Sequence, residues 1–215
     1  MLLIFNIFEL GIKEGEKNAY VAVGKNNITK SVFNDKGTLG MYLVQEKENP
    51  NMTYMFEVYE DEKSYQEHIK SEQYKEFLRQ SPTILTNHKK KIQVMPEYMG
   101  DKKFVQTRNT RVNYVTVDVK KGFNDAFREI VLDEMKQSIK KEEGVYVIYA
   151  ATAIGNPNKW YFFEIYENEK AYQKHRKTAH FKKYIEQTEN IIENKEFINI
   201  EGVILLNKGN LNYVK

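Results

Sequence analysis

The chain contains no cysteine, a single tryptophan and only four histidines among its 215 residues. The absence of cysteine excludes disulfide bonds, thiolate metal ligands and a cysteine nucleophile, and it is typical of a cytoplasmic protein. No apolar run approaches the ~18 residues that a membrane-spanning helix needs. Residues 1–10 are apolar, but they lack a basic leader and reach Glu9 too early for a signal peptide, so they predict a β-strand. We therefore expect a cytoplasmic protein that does not act in a membrane.

The chain also lacks an excess of charge of either sign. Lysine and arginine number 33 against 30 acidic residues, which leaves a formal net charge of +3. The basic runs at 89–91 and 102–103 are short, and near the middle of the chain they predict a solvated linker rather than a nucleic-acid surface. The sequence lacks the motifs of phosphate-binding loops, zinc proteases and serine hydrolases. Its four histidines are too scattered in the sequence for a dedicated metal cluster. We expect neither a nucleic-acid partner nor a bound metal.

The chain does contain a tandem repeat of one module. Residues 54–77 and 161–184 align without a gap, and half of the aligned positions are identical. The offset of 107 positions that relates His68 to His175 also relates Asn6 to Asn113, outside this stretch. Solenoid repeats run about 20–50 residues, so this longer period is the length of a small domain. The sequence predicts two domains, at residues 1–100 and 101–215.

Each copy shows the pattern of a small domain that mixes helices and strands. Apolar, β-branched stretches alternate with polar helical ones, and glycines or Asn-Pro-Asn segments separate them. Asp61 is a suitable helix N-cap, while Ser71 and Thr178 interrupt equivalent helical stretches at points where each can cap a further helix. The predicted elements of the first copy are a strand at 2–10, a helix at 16–33, strands at 41–44 and 52–59, a helix at 62–79 and a strand at 92–99.

This order of elements predicts an α+β, ferredoxin-like (βαββαβ) module, in which two helices cover one face of a four-stranded antiparallel sheet. The other face would expose several aromatic side chains, at a cost of about 25 cal/mol per Å². Two such modules can bury these faces by packing sheet to sheet. We therefore expect two tandem modules that form a dimeric α+β barrel within a single chain.

The repeated stretch resembles the antibiotic biosynthesis monooxygenase (ABM) superfamily of dimeric α+β barrels. The pattern of that superfamily is an aromatic strand ending in Glu-x-Tyr or Glu-x-Trp, an acidic turn, an aromatic residue, a histidine, and Ser or Thr with His-Phe close behind. The second copy matches it at Trp160, Glu164, Tyr166, Tyr172, His175, Thr178, His180 and Phe181. The first copy matches it at Glu57, Tyr59, Tyr65, His68, Ser71 and Tyr74, but has Thr53 in place of the tryptophan and Gln73 in place of the second histidine.

The resemblance implies a pocket in each half, and in some relatives such a pocket oxidises quinols or polycyclic phenols with dioxygen and no metal or flavin. An electron-rich phenolate can itself reduce dioxygen, so the protein has only to bind the substrate, remove its proton and stabilise the oxygenated anion. The implied catalytic residues are His175, Asn113, Trp160 and Tyr166 in the second half and His68, Asn6 and Tyr59 in the first. The implied partners are a small aromatic substrate and dioxygen. Because Trp160 and His180 lack counterparts, we expect the second half to be the more active.

A second branch of the superfamily binds and degrades heme. Those enzymes share the asparagine of the first strand, but they also need a tryptophan about ten residues before an iron-ligating histidine, and Lys170 stands at that distance from Trp160. Heme ligation by His68 or His175, with Arg176 near a propionate, is the alternative that the resemblance leaves open. A small-molecule-binding module without catalysis is the third.

Structural roles compete with the catalytic ones for the same residues. His68 and His175 can cap or pack helices, and Trp160 can belong to the core. A buried asparagine side chain without partners costs roughly 1–3 kcal/mol, so Asn6 and Asn113 each either bond a neighbouring strand or loop or face a ligand. The sequence does not determine the substrate or any assembly beyond the fused pair.

Overall fold

The computed structural model describes residues 2–215 and contains six helices and eleven strands in that range. The first copy contributes β1 (Ile4–Ile12), α1 (Lys17–Asn34), β2 (Thr38–Glu46), β3 (Met52–Tyr59), α2 (Glu62–Ile69), α3 (Glu72–Ile84), β4 (Leu85–Ile92) and β5 (Val94–Asp101). The second copy contributes β6 (Arg111–Val119), α4 (Asn124–Lys141), β7 (Val145–Ala153), β8 (Asn156–Tyr166), α5 (Glu169–His175), α6 (Ala179–Thr188), β9 (Ile192–Ile198), β10 (Ile200–Asn207) and β11 (Asn212–Val214). Within residues 2–215, no helix is both long enough and apolar enough to cross a membrane.

These elements form two compact units, and neither unit is a continuous stretch of chain. Unit 1 comprises the described part of Met1–Val94 with Phe104–Gln106 and Ile200–Gly209, and unit 2 comprises Met95–Lys103, Thr107–Asn199 and Asn210–Lys215. The strand order is β10-β2-β3-β1-β4 in the sheet of unit 1 and β11-β5-β7-β8-β6-β9 in that of unit 2. Antiparallel pairs and the accompanying helices confirm the predicted α+β fold of two tandem modules.

The copies in the sequence and the compact units do not coincide. Residues 1–100 and 101–215 were expected to be the two domains, but β5 of the first copy lies beside β7 in unit 2. In the same way β10 of the second copy pairs with β2 in unit 1. The repeat cannot reveal this exchange, because the hydrophobic pattern of a strand is the same whichever sheet it joins. Packing of the sheets face to face stays a prediction.

The expectation of a linker at residues 89–91 is wrong. Residues 85–92, which the sequence pattern marks only as a polar segment, form β4, the edge strand of unit 1. Only its two ends are buried, where Leu85 pairs with Ile12 and Ile92 pairs with Ile7 of β1. A strand paired on one side only tolerates lysines, and they discourage pairing with another chain. The strand expected at 92–99 is the separate strand β5.

The helix starts agree with the predicted caps. The side chains of Asp61, Ser71 and Thr178 each accept a hydrogen bond from the backbone N–H three residues later, at 2.8, 3.3 and 3.3 Å. Ser71 and Thr178 therefore split each predicted long helix into two shorter ones. The split places His68 near the end of α2 and His175 at the end of α5.

Candidate active site

In unit 2 the antiparallel register of β6 and β8 places Asn113 directly opposite Glu164. The Asn113 amide nitrogen donates to Glu164 Oε2 at 3.0 Å, and the Tyr166 hydroxyl donates to the same oxygen at 2.9 Å. Arg111 Nε donates to Asn113 Oδ1 at 3.1 Å, so both ends of the amide have partners within the protein. Asn113 therefore bonds a neighbouring strand, which is one of the two roles that the sequence allows.

In unit 1 the register of β1 and β3 places Asn6 opposite Glu57 in the same way. The Tyr59 hydroxyl donates to Glu57 Oε2 at 2.9 Å. The Asn6 amide lies near enough to lower the pKa of Glu57, yet its nitrogen makes no hydrogen bond of ordinary geometry. Burial is the larger effect and raises the pKa of Glu57 to about 7. The carboxyl is therefore partly protonated at neutral pH.

His175 is the last residue of α5, and only 2% of its surface is exposed. The Thr178 hydroxyl donates to the His175 backbone carbonyl at 2.7 Å, which fixes the end of the helix. The imidazole packs between aromatic rings, with centroid distances of 5.3 Å to Tyr166 and 4.7 Å to Phe181. These contacts hold the ring in one orientation.

Carboxylates lie at both nitrogens of the His175 ring. Its Nδ1 is 2.9 Å from Glu142 Oε1, and its Nε2 is 3.7 Å from Glu134 Oε1. His180 Nε2 lies 2.7 Å from the same Glu142 oxygen. The Ser138 hydroxyl donates to Glu134 Oε1 at 2.6 Å. Two histidines and two glutamates thus form one compact, largely buried cluster of ionisable groups, which we call the His–Glu cluster.

The members of the His–Glu cluster change one another's pKa values. Burial alone would lower the pKa of His175, but the hydrogen bond to Glu142 and the charges of Glu134 and Glu164 outweigh it and raise that pKa. Burial pushes the pKa of Glu142 upward, whereas its bonds to His175 and His180 bring it below the usual value. Burial also raises the pKa of Glu134 to about 7. His175 is therefore a stronger base than free imidazole, and Glu142 orients it.

The equivalent positions of unit 1 do not form such a cluster of histidines and glutamates. Asn27, Asp35 and Gln73 stand where unit 2 has Glu134, Glu142 and His180. The Gln73 amide donates to Asp35 at 3.1 Å. The ring nitrogens of His68 make no hydrogen bond, and Asp35 Oδ2 is 3.7 Å from Nδ1. Burial lowers the pKa of His68 to about 4, so this ring is neutral at pH 7.

Trp160 belongs to the core of unit 2. Its indole stacks on Phe162 at a centroid distance of 5.9 Å and meets the ring of Phe127 edge-on at 5.2 Å. The indole N–H donates to Asn124 Oδ1 at 2.9 Å. Trp160 does not line the cavity beside His175, and neither do Asn113 and Tyr166, although the Tyr166 ring packs on the His175 ring.

A small cavity lies beside His175. Its walls include Glu134, Glu164, Lys195 and Phe197, and its volume is about 30 Å³. That volume holds about two water molecules and is far smaller than a heme. A heme at His175 would require this cavity to enlarge. The guanidinium of Arg176, the expected propionate partner, lies 5.8 Å from the ring centre of Tyr172.

Sequence reasoning misses Glu134, Glu142 and Lys195, and it recognises His180 only as a residue without a counterpart. These side chains are far apart in the sequence, so no spacing motif connects them. A comparison of the two copies could have identified two of these residues. Position by position, the second copy has ionisable glutamate and histidine where the first copy has Asn27 and Gln73.

Comparison with known proteins gives a consistent result. The family model described as antibiotic biosynthesis monooxygenase matches residues 3–80 and 110–187. A crystal structure from Lactobacillus acidophilus NCFM, of a protein assigned provisionally as a monooxygenase, is 28% identical with a TM-score of 0.94, covering 99% of this chain and 100% of that one. A protein from Fusobacterium nucleatum subsp. nucleatum with the same provisional assignment is 28% identical with a TM-score of 0.93, covering 100% of this chain and 98% of that one.

A more distant structure, of an anthrone oxidase-like protein, shares the fold at 10% identity and a TM-score of 0.57, covering 97% of this chain and 94% of its own. No curated protein matches the chain. The two segments that match the family model fall one in each copy and together span more than half of the sequence. The chain therefore belongs to the antibiotic biosynthesis monooxygenase family and carries two ABM modules in tandem.

Proposed function

We propose that unit 2 holds an ABM-type monooxygenase site, which oxidises a quinol or a polycyclic phenol with dioxygen and without a bound cofactor. Membership of the family supports the reaction class. The observation that carries the proposal is the contrast between two equivalent histidines. His175 has a carboxylate at each ring nitrogen, whereas His68 is buried without a hydrogen bond.

The proposed reaction needs a base in the protein but no redox group. In the tautomer that donates from Nδ1 to Glu142, Nε2 of His175 is free to take the phenolic proton, and Glu142 stabilises the imidazolium that forms. The phenolate then reduces dioxygen. One oxygen atom forms the new carbon–oxygen bond and the other leaves as water, so a quinol becomes a hydroxyquinone without an external reductant.

A cation at the cavity can stabilise the anion that forms on the substrate. Lys195 lines the cavity, and its ammonium lies 5.8 Å from the ring centre of Tyr184 and 5.3 Å from that of Phe197. An ammonium held over aromatic rings stays close to a substrate that stacks on the same rings. Lys195 is therefore the proposed electrostatic partner of the phenolate and of the oxygenated anion.

The cavity must enlarge before such a substrate reaches His175. Phe197 lines the cavity from the edge strand β9, and 53% of its surface is exposed. Its ring can change rotamer without uncovering the buried core. We therefore propose that displacement of Phe197 admits the substrate, and we expect Phe197→Ala to lower KM.

Oxygen uptake with a panel of quinols and anthrones tests the proposal. The wild-type chain should consume one dioxygen per product molecule. Loss of the base in His175→Gln should lower kcat by about 10²–10⁴-fold. His68→Gln is the matched control, because it removes the equivalent histidine of unit 1, and it should retain most of the activity. Equal losses in the two variants, or no uptake with any member of the panel, would overturn the proposal.

The other two functions that the sequence leaves open are outcomes of the same experiment. Hemin added to the purified chain produces a sharp Soret band only if a histidine ligates it, and turnover that depends on hemin would replace the cofactor-free reaction. Binding of an aromatic ligand without oxygen uptake would indicate a non-catalytic module. A cytoplasmic location without nucleic-acid or membrane partners belongs to this proposal and rests on the cysteine-free, nearly balanced composition.

A further inference from the structure

We propose that the His–Glu cluster of unit 2 is a binding site for one divalent transition-metal ion of the Zn²⁺ type. Glu134, His175 and His180 would supply the ligands, and Glu142 would orient the histidines. This inference does not rest on the proposed monooxygenase activity. It concerns the ability of these side chains to bind an ion, which can be measured without any substrate.

The geometry of the three ligands is close to that of a metal site. One ligand atom from each of Glu134, His175 and His180 lies within 4.8 Å of the other two. Zn²⁺ binds imidazole nitrogen and carboxylate oxygen at about 2.0–2.2 Å, so tetrahedral ligand atoms are separated by about 3.4 Å. His175 Nε2 and Glu134 Oε1 are already 3.7 Å apart. Side-chain movements of about 1 Å would complete the arrangement.

The residues around these ligands form the second shell that such sites require. Metal-binding histidines usually donate their other ring N–H to a carboxylate, which fixes the tautomer and the orientation of the ring. Glu142 Oε1 lies 2.9 Å from Nδ1 of His175, so Nε2 of that ring is left for the ion. Ser138 holds Glu134 by a hydrogen bond of 2.6 Å. Glu142 and Ser138 each hold the side chain of a proposed ligand in place.

The ligands come from regular helices and are reached from the surface. Glu134 lies in α4, His175 ends α5 and His180 is in the first turn of α6. A groove of about 220 Å³ borders Glu134 and His180 and is also lined by Glu129 and Asp133. The groove carries three carboxylates against the single ammonium of Lys183, and this excess of acidic groups favours the approach of a cation. The groove therefore provides an entry path for the ion.

Unit 1 supplies an internal comparison. Its residues at the three ligand positions are Asn27, His68 and Gln73, which leave one imidazole and no carboxylate. The same backbone arrangement thus occurs twice in one chain, once with the donors that Zn²⁺ prefers and once with neutral amides. Substitutions that copy unit 1 residues into unit 2 change the donor set while retaining side chains that the fold accepts.

Titration of the chelator-treated, full-length chain with Co²⁺ and Zn²⁺ tests the inference. We expect one Co²⁺ per chain, with visible d–d absorption of a low-symmetry site, and displacement of Co²⁺ by Zn²⁺. His180→Gln and Glu134→Asn, which copy unit 1, should each weaken binding by at least about 10-fold. His88→Gln, which removes a histidine from β4 in unit 1, should bind as the wild type does.

Circular dichroism and thermal melting establish that each variant is folded, so a loss of binding cannot be attributed to unfolding. Absence of stoichiometric Co²⁺ binding by the folded wild-type chain would overturn the inference. Unchanged affinity in both His180→Gln and Glu134→Asn would overturn it as well, because the ion would then lie elsewhere. An ion on Nε2 of His175 and proton transfer to that nitrogen exclude each other, so a bound ion would inhibit the proposed turnover. The experiment measures metal binding without oxygen uptake, and its failure would leave the proposed function untouched.

Discussion

His68 should make the chain sensitive to acid, and His68→Phe should remove that sensitivity. The imidazole is 0% exposed and lies between the rings of Tyr59 and Tyr74, at centroid distances of 5.3 and 5.1 Å. Its pKa is about 4 in the folded chain against 6.5 for the free side chain. The unfolded chain therefore binds a proton more tightly, and acid favours unfolding. Phenylalanine fills nearly the same volume and cannot be protonated.

The size of the effect follows from the two pKa values. Above pH 6.5 the ring is neutral in both states and His68 has no influence on the pH dependence of stability. As the pH falls from 6.5 toward 4, the unfolded state gains a proton that the folded state does not take up. Linkage gives a loss of about 2 kcal/mol by pH 5, and of about 3 kcal/mol once the pH is below both pKa values.

Urea denaturation of the wild type and of His68→Phe at about pH 7.5 and about pH 5 measures the effect. Glu57 and Glu134, whose pKa values are raised to about 7, change stability in the opposite direction over this range. The decisive quantity is therefore the difference between the variant and the wild type at each pH. We expect His68→Phe to gain about 2 kcal/mol relative to the wild type between the two pH values.

Two controls make the measurement specific. His88→Gln removes a histidine whose side chain is 47% exposed, and it tests whether the loss of any histidine gives the same result. An NMR titration of the His68 ring in the folded chain should show no protonation near pH 6. If the ring titrates there, or if His68→Phe and the wild type lose the same stability, the reasoning from burial is wrong.

Three further substitutions give separate tests. Glu142→Gln removes the carboxylate bonded to Nδ1 of His175, so the pKa of His175 should fall, which an NMR titration of the ring will show. Trp160→Phe removes the hydrogen bond to Asn124 and should cost roughly 1–3 kcal/mol of unfolding free energy; a loss of turnover at unchanged stability would instead indicate a role at the substrate. Gly37→Ala places a Cβ in the space that the Ser64 side chain occupies, so it should destabilise the chain by about 1–3 kcal/mol in urea denaturation; unchanged stability would show that Ser64 moves freely.

Local signals in the sequence predict much of the fold. Asp61, Ser71 and Thr178 are caps that act over three residues, so their effect can be read without knowing the tertiary structure. The strand β4 escapes prediction because the residues between its buried ends are polar, three of them lysines, and its position at a sheet edge makes that composition acceptable. The exchange of β5 and β10 is not predicted for a different reason. The hydrophobic pattern identifies each as a strand, but it does not determine which of the two sheets the strand joins.

The candidate site is predicted only in part. His175 is found because it recurs at the same place in a repeated motif. Glu134 lies in α4 and Glu142 caps the end of that helix, so both are far from His175 in the sequence. They are missed because helix packing, rather than sequence spacing, brings them to the imidazole. Comparing the copies for changes of charge, rather than for identity, would have selected Glu134 and His180. Identity reveals what the two modules share, and charge differences reveal where they diverge.

The exchanged strands have a consequence for synthesis of the protein. The sheet of unit 1 needs β10 (Ile200–Asn207), which is synthesised after β2 and after most of the second copy. Until then the outer edge of β2, with buried residues along most of its length, has no neighbour to satisfy its backbone groups. Completion of the sheet of unit 1 must therefore wait until β10 has been synthesised. A nascent polypeptide released before Ile200 should be a preferred target of chaperones and proteases.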